Sequence, residues 1–151
     1  MTFLNKTLAL ALVLSFSNAM ADSLLYSTEN GAIDGYDPVS YFVEGAAERG
    51  AADITTEWNG AVWHFSSYAH RDMFIEDPEK FVPQYGGFCA LGMAHGGAVP
   101  TNPEAWTIHD GKLYLNMIEE VTITWRYNPD ILIQRANLKW QALNASSTDD
   151  N

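Results

Sequence analysis

Two stretches of this chain are rich in β-branched and aromatic residues, and an Asx-Gly pair interrupts each of them. In the first, Thr55, Thr56 and Trp58 precede Asn59-Gly60, and Val62, Trp63 and Phe65 follow it. In the second, Ala105 to His109 and Lys112 to Leu115 flank Asp110-Gly111. Asn-Gly and Asp-Gly suit two-residue hairpin turns, whose central positions both need φ > 0. The pattern therefore predicts two β-hairpins in one antiparallel sheet. His64 and His109 alternate with Trp63 and Ile108, which predicts that both face solvent.

Between the hairpins the period lengthens. Ser67 is placed to cap a helix starting at Tyr68, with Ala69 and Met73, and His70 and Phe74, one turn apart. Asp77-Pro78 reads as the cap and first position of a second short helix, ended near Pro83. Glu76, Asp77 and Glu79 then sit at helix ends, where the helix dipole accounts for them. Val121 to Trp125 alternates like a strand, but Ile118, Val121 and Trp125 also share a helical face. Asn116 and Glu119 have the spacing of a helix-capping pair, so helix is the expectation there. Asn128-Pro129 should open a last helix with Leu132, Ala136, Trp140 and Leu143 as its apolar stripe. The fold class that follows is α+β, a small antiparallel sheet of hairpins with helices packed on it.

The ends of the chain read differently. Lys6, the apolar run from Leu8 to Phe16 and Ala19-Met20-Ala21 have the layout of a signal peptide, with the mature protein expected to begin at Asp22. The apolar run is too short to span a bilayer, and Asn18 and Asp22 interrupt it. The expected location is the periplasm or outside the cell. Residues 22–143 then form one domain, and the polar run 144–151 is expected to be a disordered tail. Removing residues 1–21 takes away Lys6 and no acid, so the net charge of -11 becomes -12. That sign argues against nucleic acid and anionic membranes as partners.

The chemistry centres on one cysteine. Cys89 lies in the run Tyr85-Gly86-Gly87-Phe88-Cys89-Ala90-Leu91-Gly92-Met93-Ala94-His95-Gly96-Gly97. With no second cysteine it is a reactive thiol, an intermolecular link or a buried small apolar group. Thiolate and thioether favour Cu(I), and imidazole suits several transition metals, so Cys89, Met93 and His95 are candidate ligands. Each also has a plainer role: Cys89 and Met93 as core filler, His95 as a solvated loop residue. No Gly-x-Ser-x-Gly turn, Walker loop, His-Glu-x-x-His helix or pair of Cys-x-x-Cys motifs occurs, so nothing marks an enzyme.

Several motifs together resemble a known family. They are Asp34-Gly35-Tyr36-Asp37-Pro38-Val39-Ser40-Tyr41-Phe42, Trp58-Asn59-Gly60, His70-Arg71-Asp72, Asp77-Pro78-Glu79-Lys80-Phe81, Gln84-Tyr85-Gly86-Gly87-Phe88-Cys89 and Asp110-Gly111-Lys112-Leu113-Tyr114-Leu115-Asn116. In this order they resemble a YHS domain protein of the exported bacterial type, from about Ile33 to Trp140. The resemblance implies a small α+β fold and a link to heavy-metal handling, with copper or another soft transition metal as the expected cofactor. It carries over Cys89 and adds His70 as a ligand. Many members have a cysteine directly after Asp-Pro-Val, where this chain has Ser40, and a hydroxyl poorly replaces a soft thiolate. The expected function is a metal carrier or sensor using Cys89, His70, His95 and Met93. A metal-free module binding a small molecule or protein, its aromatic residues lining a pocket, is the first rival. A thiol redox protein using Cys89 is the second.

Overall fold

Both Asx-Gly pairs turn the chain as expected. In the computed structural model, which describes residues 24–148, Asn59 and Gly60 have φ of 53° and 78°, and Asp110 and Gly111 have 48° and 71°. The first turn joins β3 (Ala51–Trp58) to β4 (Ala61–Phe65), with Thr56 opposite Trp63. The second joins β5 (Asn102–His109) to β6 (Lys112–Asn116), with Thr107 opposite Tyr114. A smaller pair, β1 (Ser27–Thr28) and β2 (Gly31–Ala32), precedes them. β2 approaches β4 so closely that a Cβ on Gly31 would lie 2.6 Å from the Val62 carbonyl oxygen.

The strands do not merge into the single sheet that the sequence suggested. Each hairpin remains a separate two-stranded ladder. Register shifts between Ala51 and Thr55, and between Asn102 and Trp106, bend both long strands. Such irregularities increase local twist and end regular pairing. Helices cover the ladders: α1 (Ser40–Val43), α2 (Tyr68–Glu76), α3 (Pro78–Phe81), α4 (Ala90–Ala94), α5 (Glu119–Tyr127) and α6 (Pro129–Thr148). The class is α+β.

β6 divides the interior. Leu113 and Leu115 belong to one apolar cluster with Ile33, Val39, Tyr41, Trp63, Phe65 and Phe74. Tyr114, between them in sequence, joins a second cluster with Tyr85, Ala90, Met93, Trp125 and Ala136. The strand's period of two sends alternate residues into different cores. α6 lays Leu132, Ala136, Trp140 and Leu143 on the second, as its stripe predicted.

Three local expectations change. Asn116 does not cap α5; it is the last residue of β6 and fully buried, while Ile118 takes the cap position. The helix across Val121 to Trp125 forms all the same, because Trp125 and Thr122 bury one face. Neither hairpin histidine is merely solvated. His64 places Nδ1 3.2 Å from the Ala51 carbonyl oxygen, and His109 places Nε2 3.1 Å from Asp130. Residues 144–148, expected to be disordered, continue α6, since a helix anchored as far as Leu143 adds further residues at little cost. The expected signal peptide, residues 1–21, lies outside the described residues, as do positions 149–151.

Candidate functional site

The sequence candidates fall into two separate hydrogen-bonded networks. The first is built on Asp37, fully buried where the chain enters α1. Its Oδ1 accepts the backbone N–H groups of Val39 at 2.8 Å and Ser40 at 3.3 Å. Its Oδ2 accepts the backbone N–H and the hydroxyl of Ser66, each at 2.8 Å, and lies 2.7 Å from Nδ1 of His70. A buried carboxylate keeps its charge only when donors replace the lost water, and here they come from three segments. Ser67 caps α2 by accepting the His70 N–H at 3.1 Å, which fixes the ring's starting point.

The remaining ring nitrogen looks outward. His70 Nε2 lies 3.7 Å from Oε1 of Glu44, whose side chain is 51% exposed. With Nδ1 directed at Asp37, Nε2 is the ring nitrogen left to face outward partners. Ser66 Oγ also approaches Nδ1, at 3.2 Å, and its hydroxyl hydrogen goes to Asp37. Serine and aspartate therefore share one ring nitrogen, whereas a nucleophilic triad needs them on opposite ones. The group is an oriented imidazole, not an activated serine.

The second network is closed. Cys89 is 2% exposed; its Sγ accepts the Gly92 N–H at 3.4 Å and donates toward Asn116 Oδ1 at 3.6 Å. Asn116 Oδ1 also accepts the Leu91 N–H at 3.1 Å. Asn116 Nδ2 and Trp125 Nε1 are buried without a partner among the described residues. Met93 follows one turn after Cys89 and is fully buried in the second core. His95 ends α4 and is exposed. Cys89, Met93 and His95 thus share α4 and its ends, while His70 belongs to the Asp37 network. Ser40 is buried, its hydroxyl donating to the carbonyls of Asp37 at 2.8 Å and Ala46 at 3.0 Å. Among the described residues no group of three or more His, Cys, Asp and Glu is arranged to hold a metal ion.

Thiol exchange requires an accessible thiolate, and the surroundings of Cys89 are those of a packed thiol. The aromatic residues mostly fill the cores: Trp63 and Trp125 are fully buried, and Trp63 stacks within 5.2 Å of Phe74. Tyr41 donates its hydroxyl to the Pro103 carbonyl at 2.9 Å, and burial pushes its phenol well above the ordinary range. A shallow groove of about 320 Å³ does place Trp58, Tyr85 and Trp140 around Leu24.

Sequence reading missed Asp37, Ser66 and Glu44 as site residues. Asp37 and His70 are 33 positions apart, so no local spacing links them; Asp37 stood out only as one residue of the Asp34 to Phe42 motif. No protein-family model, curated protein or solved structure matches the chain.

Proposed function

We propose that the protein is an exported YHS-type domain that carries or senses a transition-metal ion, copper included, with His70 Nε2 and Glu44 as its ligands. The observation that carries this reading is the 2.7 Å contact between buried Asp37 and His70 Nδ1, with Nε2 directed toward the Glu44 carboxylate. Metal-binding histidines commonly donate their other ring N–H to a carboxylate, which fixes the tautomer and raises ligand basicity. An imidazole and a carboxylate suit Cu(II) or Zn(II) better than Cu(I), and two protein ligands leave further positions to water or a delivering partner. A soft Cu(I) ion at Cys89 would instead require the thiol's bonds to Asn116 and Gly92 to open first.

The test is titration with Cu(II) or Zn(II) against a competing chelator. His70→Asn retains an amide donor toward Asp37 and removes Nε2, so it should abolish binding with little loss of fold. Glu44→Gln should weaken binding about tenfold, in line with loss of a charged ligand worth a kcal/mol or more. Cys89→Ser should leave divalent affinity unchanged. Loss of Cu(I) binding in Cys89→Ser, with His70→Asn unaffected, would move the site to α4 and its ends. No binding of any of these ions would end the metal reading.

A further inference from the structure

α5 and α6 meet at Asn128, whose backbone (φ -151°, ψ 63°) breaks the helix and turns the chain into Pro129. Trp125 and Ala136 point into the second core. Beside the faces that enter that core, the two helices leave an open apolar groove of about 610 Å³, lined by Ile123, Tyr127, Ile131, Leu132 at its inner edge and Arg135. That volume is within the usual range for sites that take small organic ligands. Ile123 is 58% exposed and Tyr127 93%, a high cost in apolar surface for two residues one turn apart.

The groove holds one cation, and it is unmatched. Arg49, Arg71 and Arg126 each lie within 3.3 Å of a carboxylate. The Arg135 guanidinium has no ion pair or hydrogen bond among the described residues, although acids outnumber Lys and Arg by 19 to 8 in the chain. An apolar trough beside an unpaired guanidinium complements a molecule with an apolar body and one carboxylate, since Arg binds carboxylate through a planar two-pronged contact.

We infer that the α5–α6 groove binds a single-chain carboxylic acid amphiphile, its chain along Ile123, Tyr127 and Ile131 and its carboxylate on Arg135. This site is distinct from the His70–Glu44 pair and does not depend on metal.

Calorimetric titration with dodecanoate, below its micellar concentration, tests the assignment against dodecyltrimethylammonium, which has the same chain and the opposite charge. Dodecanoate should bind one to one and at least tenfold more tightly. Arg135→Gln, at an exposed and unpaired position, should leave the melting temperature unchanged and remove most of that preference. Ile131→Asn should weaken both ligands at least fivefold. Equal affinity for the two head groups, or no binding of either, overturns the inference. So does sedimentation showing a dimer that Tyr127→Asp dissociates while dodecanoate has no effect, because a second copy then fills the groove. Flotation with phosphatidylglycerol vesicles in the absence of dodecanoate binding overturns it as well.

Discussion

The Asp37 and Cys89 networks are both buried, both tie loops to helices, and differ in how completely their polar atoms are matched. Asp37 is a full charge taken out of water, and five donors from Val39, Ser40, Ser66 and His70 surround it. The Cys89 network joins a thiol to a neutral amide and leaves Asn116 Nδ2 without a partner among the described residues. A charge cannot be left half-matched in an interior, whereas a neutral amide can, at a cost of order 1–3 kcal/mol. The difference also decides what each network offers to the outside. The charged one holds an imidazole with its second nitrogen facing an exposed carboxylate. The other turns its sulfur inward.

The sharpest way to break the comparison is Asp37→Ala. It strips the acceptor from five donors at once and should lower stability by about 3–5 kcal/mol in urea unfolding. A loss below 1 kcal/mol would mean that water replaces the carboxylate and that the network is not what holds α1 against α2. Asn116→Ala comes next. It orphans the Leu91 N–H but also removes the unmatched Nδ2, so the expected loss is about 1–3 kcal/mol. Cys89→Ala removes one weak donor and a small apolar volume and should cost about 1 kcal/mol in the same measurement. If it cost more than Asp37→Ala, the ranking of the two networks would be reversed.

The smallest effect belongs to strongly alkaline solution, above pH 10, and tests one tyrosine in each core. Burial raises the phenols of both Tyr41 and Tyr85 from the ordinary value of 10. A folded-state value above the unfolded one means that the folded protein holds the proton more tightly. The contribution is therefore complete below pH 10 and is lost as the pH climbs beyond it. Tyr41→Phe and Tyr85→Phe should each flatten that decline in stability, and an unchanged slope in either would show its hydroxyl to be hydrated.

Much of the fold could be read from local chemistry because its determinants are local. A two-residue turn requiring φ > 0 at Asn59-Gly60, a serine cap at Ser67 and a proline at the start of α6 act within a few residues of themselves. The site was legible only in part. His70 and Cys89 stand out by residue type, but what separates their roles is Asp37, 33 positions before His70, and Asn116, 27 positions after Cys89. Asn116 shows the difficulty well. Its spacing from Glu119 suits a helix cap, yet the strand before it carries the side chain inward to Leu91 and Cys89. The unjoined ladders were equally hidden, since the register shifts at Ala51 and Asn102 arise from the packing of whole elements.

The alternation along β6 has a further consequence. Because Leu113 and Leu115 face one cluster and Tyr114 the other, neither half of the protein can come apart without withdrawing a wall from its neighbour. The two clusters should therefore melt together, and the amide protons of Leu113 to Leu115 should be among the slowest to exchange with solvent, opening only when the whole molecule unfolds.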